Sequence, residues 1–230
     1  MTTIDSIIIG AGQAGLAVSW HLRARGLDHV VFDRGRVGER WRSERWESLR
    51  TLTPNWMTRL PGADYDGPDP EGFMTMSELI ATFEAYTLSF AAPILEQTPV
   101  QAVALGRDGF EVVAGGTSWR ARNVVVATGW ADRPAIPRCA DRLPAGIQQL
   151  TGASYRRPEQ IAGQRVLVVG ASASGAQIAS ELARAGRDVT LAVGGHRRVP
   201  RRTAVATSCG GSTSSAPSTG FPATNRIDRS

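Results

Sequence analysis

Residues 4 to 33 constrain the fold of this chain more than any other stretch. Ile4 to Ile9 is a short run rich in β-branched residues, as expected of a strand buried on both faces. Gly10-x-Gly12-x-x-Gly15 follows at once, and residues 13 to 25 carry apolar groups at helical spacing (Ala14, Ala17, Val18, Leu22). Gly26 ends that predicted helix, and His29 to Phe32 reads as a second strand closing on Asp33. Strand, glycine turn, helix, strand and acid together form a dinucleotide-binding unit. Gly10 permits the tight turn, Gly12 lets the backbone approach a pyrophosphate, and Gly15 lets helix and strand pack closely. The helix opening at Gln13 and Ala14 offers unpaired N–H groups and the positive end of its dipole to phosphates. Asp33 is placed to accept from ribose hydroxyls, and Arg34 beside it is counted with the same site. The plainer reading is a glycine turn in an ordinary α/β core.

Composition excludes several classes. The apolar fraction of 42% suffices for a packed core. No apolar run approaches the length of a membrane span, and no basic leader precedes the first strand, so the expected place is the cytoplasm with no membrane partner. Cys139 and Cys209 match no metal or redox spacing. A net charge of +5 invites a nucleic-acid reading, but its location argues against one. Up to residue 195 there are 20 arginines and 20 acids, so the whole excess lies beyond that point.

Residues 35 to 62 read as a loop rich in aromatics, with Trp41, Trp46 and Trp56 as either core plugs or a cover for a planar cofactor. Residues 61 to 72 are Gly-, Pro- and Asp-rich, a surface loop. Ser77 is expected to cap a helix over 78 to 90, where Leu79, Ile80, Phe83, Tyr86 and Phe90 recur at helical spacing. Residues 99 to 121 alternate around Asp108-Gly109 and Gly115-Gly116, predicting a small antiparallel β-meander. Asn123 to Ala127 then reads as a separate buried strand ending in Ala127-Thr128-Gly129. Proline-rich residues 130 to 158 mark a domain boundary.

A second unit follows. Arg165 to Val169 predicts a strand, and Gly170-Ala-Ser172-Ala-Ser174-Gly175 a second phosphate turn. A helix over 176 to 185 and a strand over 188 to 193 complete it. Two dinucleotide units on one chain point to electron transfer between two cofactors. The second strand ends without an acid and runs into Arg197 and Arg198, an arrangement for a 2′-phosphate and hence for NADPH. The alternative is that these arginines merely open a basic tail.

The ordered set Gly10-x-Gly12-x-x-Gly15, Gly38-x-x-Trp41, Ala127-Thr128-Gly129 and Gly170-x-Ser172-x-Ser174-Gly175 resembles the flavin-containing monooxygenase-like family, from residue 4 to about residue 202. The resemblance implies FAD at the first unit and NADPH at the second, with Ala127-Thr128-Gly129 at the hinge between them. It implies that Val100 faces the flavin adenine through its backbone, and that Asn55 lies near the reactive edge of the flavin as a catalytic residue. NADPH would reduce FAD, and reduced flavin with O₂ would form a C4a-(hydro)peroxide that oxygenates a small organic substrate. A homo-oligomer is left open. Thr151 stands where the Baeyer–Villiger signature has histidine, which points away from that branch, although Tyr155 is present. A disulfide reductase would need a cysteine pair that Cys139 and Cys209 do not supply.

The expected fold class is therefore α/β, with two Rossmann-like units. Residues 1–145 form an FAD-binding domain with its meander, 160–202 a partial NADPH-binding domain, and 203–230 a disordered tail. The Ser-, Thr-, Ala- and Gly-rich tail breaks abruptly from periodic structure after Arg202; the plainer reading is a disordered linker, and the reading adopted as the expected case is a shifted reading frame, which makes residues 203–230 non-native to this fold. In the second case, the chain as it stands would be an inactive or non-enzymatic nucleotide-binding fragment.

Overall fold

The computed structural model describes residues 2–130, 133–195 and 224–226. At its centre lies β1 (Thr2–Ile9), whose Ile7 and Ile8 are wholly buried. β1 pairs in parallel on both sides, with β2 (His29–Phe32) and with β6 (Thr117–Val126). Two-sided pairing places Ser6, Ile7 and Ile8 out of water at the middle of the strand, while Ile4, Asp5 and Ile9 are half-buried and Thr2 and Thr3 are exposed. The full sheet has six strands in the order β3-β2-β1-β6-β5-β4, where β3 is Ile94–Leu95, β4 Val100–Gly106 and β5 Gly109–Ala114.

The expected meander and the strand after it are one continuous structure. β6 pairs antiparallel with β5 over Thr117–Ala121, while residues from Trp119 to Val126 pair in parallel with β1. The separate strand predicted from Asn123 is therefore the far end of a ten-residue strand. Ile7, Phe32, Val112, Ala114 and Ala121 meet in the core beneath, and the Phe32 and Trp119 rings pack edge to face at 5.2 Å.

Helix α1 (Gln13–Ala24) buries Gly15, Leu16 and Ser19. This corrects the predicted face: Ala14 is exposed, and Ala17, Val18 and Leu22 are half-buried. Buried Ser19 Oγ bonds His29 Nε2 at 2.8 Å, and His29 Nδ1 lies 3.0 Å from the Leu27 carbonyl oxygen. The aromatic loop contains a short helix α2 (Glu39–Ser43) and a 3₁₀ turn at Asn55–Met57.

Helix α3 (Met76–Ser89) is capped by Thr75, not Ser77. The Thr75 hydroxyl accepts from the Glu78 N–H at 3.3 Å, and the Glu78 carboxylate accepts from the Thr75 N–H at 2.7 Å. This capping box satisfies two N-terminal donors at once, so it outcompetes a lone serine two residues later. Its buried face is Met76, Leu79, Ile80, Phe83 and Tyr86, while Phe90 lies just past the helix end.

A second sheet contains β7 (Arg165–Val169), β8 (Asp188–Ala192) and β9 (Thr224–Arg226). β7 and β8 are parallel and joined by α4 (Ala173–Arg184), which starts three residues before its predicted position. β9 pairs antiparallel with β8, so three residues of the stretch expected to be disordered carry strand structure.

The chain divides into two compact units, Met1–Glu44 with Asn55–Ala135, and Arg45–Pro54 with Ile136–Ser230. Assignment of residues 45 to 54 to the second unit was not anticipated. No helix among the described residues is long and apolar enough to cross a membrane.

Candidate dinucleotide sites

The first glycine turn is shaped by three different constraints. Gly10 holds φ +110° and donates its N–H to the Phe32 carbonyl at 2.7 Å. A Cβ on Gly10 would meet the Ala127 carbonyl oxygen at 2.5 Å, and one on Gly15 would overlap the Gly10 carbonyl oxygen. Gly12 is different, since a Cβ there would meet nothing within 4 Å. The protein's own packing therefore requires glycine at 10 and 15 but leaves room at 12. Among the described residues, the N–H groups of Gln13, Ala14 and Gly15 have no hydrogen-bond acceptor. Free helix-opening amides beside an empty approach fit a diphosphate.

Asp33 is drawn into this turn. One carboxylate oxygen accepts from the Ala11 N–H at 2.7 Å and the other from the Gly35 N–H at 2.8 Å. Each oxygen keeps acceptor capacity for a ribose hydroxyl. Arg34 points along the surface to Glu44 at 2.9 Å. The structure thus places Arg34 in an exposed ion pair at the edge of the predicted site.

Helix α2 is fastened to the turn through the Gly38 N–H, which donates to the Ala11 carbonyl at 3.2 Å. Trp41 is half-buried on α2. The Ala127-Thr128-Gly129 turn follows from β6, its Ala127 N–H bonded to the Ile9 carbonyl at 2.8 Å. Gly129 holds φ +76°, and a Cβ on it would lie 3.3 Å from the Arg40 guanidinium. Sequence reading missed Arg40, the unmatched position inside Gly38-x-x-Trp41.

The remaining first-unit residues are more dispersed. Val100 opens β4 opposite Ala114, half-buried against the core. Asn55 is buried and anchors its loop: its N–H donates to the Gly72 carbonyl at 2.9 Å and its Nδ2 to the Asp69 carbonyl at 2.8 Å. Its Oδ1 has no donor among the described residues, an orphaned buried acceptor. Trp56 is half-buried beneath the Arg59 guanidinium, 5.7 Å from the ring centre.

The second turn repeats the first. Gly170 holds φ +100° and donates to the Ala192 carbonyl at 2.9 Å, and a Cβ on Gly175 would overlap the Gly170 carbonyl oxygen. Ser172 is the N-cap of α4, yet its side chain makes no capping bond. The Ser172 and Ser174 side chains are exposed at the helix opening, their hydroxyls without partners among the described residues. Arg197 and Arg198 lie outside the described residues.

Residues 45 to 54 pack within this second unit. The Glu47 N–H donates to the Arg156 carbonyl at 2.9 Å, and the Gln177 amide exchanges two 3.3 Å bonds with the Arg50 backbone. Trp46 is core here rather than a cover for a cofactor, and its Nε1 has no acceptor among the described residues. Buried Tyr155 donates to Glu181 at 2.8 Å, and burial first, then that carboxylate, pushes its phenol well above the ordinary range.

Two strand–turn–helix–strand units, each closed by the same glycine-on-carbonyl contact, define an α/β protein built around two dinucleotide turns. The pyridine nucleotide-disulphide oxidoreductase description matches residues 7–213, and the chain belongs to that family. The match extends past Arg202, where periodic structure was expected to stop.

Within the family, the resemblance to flavin-containing monooxygenases is borne out. The chain is 39% identical over 192 residues to an uncharacterized CzcO-like oxidoreductase of Geobacillus kaustophilus, covering 83% of this chain and 54% of that protein. It is 29% identical to the indole-3-pyruvate monooxygenase YUCCA4 of Oryza sativa, covering 77% and 44%. A flavin-containing monooxygenase from Stenotrophomonas maltophilia superposes with TM-score 0.72 at 32% identity, covering 85% of this chain and 59% of that one. The chain thus spans about half the length of the curated relatives it matches.

Proposed function

We propose that this chain carries the FAD and NADPH sites of a monooxygenase acting on a small organic substrate with O₂. The carrying observation is the room left at Gly12 beside three unbonded helix amides, a cradle that the protein does not fill itself. The amides of Gln13, Ala14 and Gly15 would hold the FAD diphosphate, and Asp33 its ribose. At the second turn the free helix opening and the Ser172 and Ser174 hydroxyls would hold the NADPH diphosphate, with Arg197 and Arg198 on the 2′-phosphate. Asn55, whose buried Oδ1 has no donor among the described residues, is the residue proposed to meet the flavin ring.

Bound flavin, reduced by the nicotinamide, would supply the activation of O₂. The chain's own work is then to bind, to orient and to exclude water, and no acid–base pair is required of it. A cytoplasmic setting belongs to the same proposal. Its test is oxygen uptake by purified, FAD-loaded protein given NADPH and candidate amines, sulfides or ketones. Substrate-dependent uptake with one product oxygen traceable to ¹⁸O₂ supports it, and NADPH oxidation that no substrate alters counts against it.

A second reading is a nucleotide-binding fragment without turnover. The observation favouring it is the open face of β7, where Leu167 is 62% and Val169 72% exposed. A parallel strand is ordinarily covered on both faces. Binding of FAD and NADPH with no flavin reduction would select this reading.

A further inference from the structure

The six residues of the first turn, Gly10 to Gly15, contain no cationic side chain. A dinucleotide diphosphate is anionic, and the Asp33 carboxylate, bonded to the Ala11 N–H at 2.7 Å, places another negative charge at the same turn. Helix dipole and amides offset part of this repulsion, but their reach ends within the first turn of the helix.

One guanidinium is fixed where three backbone segments of the first unit meet. Helix α2 is tied to the glycine turn by the bond from the Gly38 N–H to the Ala11 carbonyl. The 127–129 turn abuts Gly10, because a Cβ there would strike Ala127. Arg40 projects from α2 onto that turn, with its guanidinium 3.3 Å from the position of a Gly129 Cβ. Its side chain is only 19% exposed. Glu44 steadies it at 3.5 Å while also taking Arg34 at 2.9 Å.

We infer that Arg40 is a binding and positioning residue for the diphosphate of the dinucleotide at the first turn. The inference rests on the reading that this turn takes FAD. A bidentate or charge-assisted bond to phosphate suits arginine by shape as well as charge.

The test is FAD affinity of the full chain, followed by flavin fluorescence quenching at low and high salt, with thermal unfolding of the flavin-free protein measured in parallel. Arg40→Ala and Arg40→Gln are expected to weaken FAD binding by roughly ten- to a hundredfold. They should also flatten its salt dependence, since the screened charge is gone. Arg40→Lys should recover part of both effects. Variants that melt earlier but bind FAD with native affinity and native salt response would make Arg40 a mere prop between α2 and the 127–129 turn, overturning the inference. Arg40→Gln, close in size and neutral, separates charge from packing should Arg40→Ala fold poorly. A native chain that takes up no FAD overturns the proposed function and this inference together, whereas native uptake with unchanged variants overturns this inference alone.

Discussion

Gly15 stands so close to the carbonyl oxygen of Gly10 that a single Cβ would overlap it, and Gly175 stands in the same relation to Gly170. The contact lets each helix open directly against its strand. Gly15→Ala must therefore push α1 away from β1 at the point where Ile8 also packs. Overpacking of this kind costs about 1–3 kcal/mol. A lowered melting temperature of the flavin-free protein, visible by circular dichroism, is the expected result.

Gly12→Val should behave in the opposite way. A Cβ there meets no protein atom within 4 Å, so the fold is expected to keep its melting temperature while FAD binding is abolished. Flavin content after purification measures this. Native flavin content in the variant would contradict the assignment of that space to the diphosphate.

The two turns were legible in the sequence because their glycine contacts are local, between residues five positions apart. Long-range pairing was not. β6 serves β5 and β1 with one unbroken strand, and a reading by alternation alone divided it at the change of partner. The Thr75 cap had a sequence signal, Thr75-x-x-Glu78, which the serine nearer the apolar run obscured. Residues 45 to 54 join the second unit through Gln177, Arg156 and buried Trp46, bonds that no periodicity announces. Arg40 escaped notice because its role depends on where Gly129 lies, far along the chain.

Replacing Arg197 and Arg198 with alanine should erase most of a preference for NADPH over NADH. A charge-assisted phosphate contact is worth about 1.5–3 kcal/mol, or roughly ten- to a hundredfold in affinity. Titration with both nucleotides checks this. Equal affinity of the native chain for NADH and NADPH would contradict the assignment.

Ser19→Ala removes the hydroxyl bonded to His29 Nε2 at 2.8 Å and leaves that nitrogen buried without its partner. The loss should be about 1–3 kcal/mol. Denaturant unfolding measures it, and an unchanged midpoint would show that the pair does not support the core.

Burial raises the Tyr86 phenol from its ordinary value near 10 to about 12, while its hydroxyl donates to the Pro61 carbonyl at 2.8 Å. The folded state thus holds the proton more tightly than the unfolded one. This contribution to stability is complete below pH 10 and is lost as pH rises from 10 through 12. Tyr86→Phe should flatten that alkaline decline, seen as a smaller fall in melting temperature over the same range.

The most direct measurement is the visible spectrum of the purified chain, loaded with FAD, before and after NADPH is added without oxygen. Two dinucleotide sites that exchange electrons predict a yellow protein whose flavin absorbance bleaches with NADPH and returns on admitting air. A chain that stays colourless after incubation with FAD, or a yellow one that NADPH leaves unbleached, would contradict them.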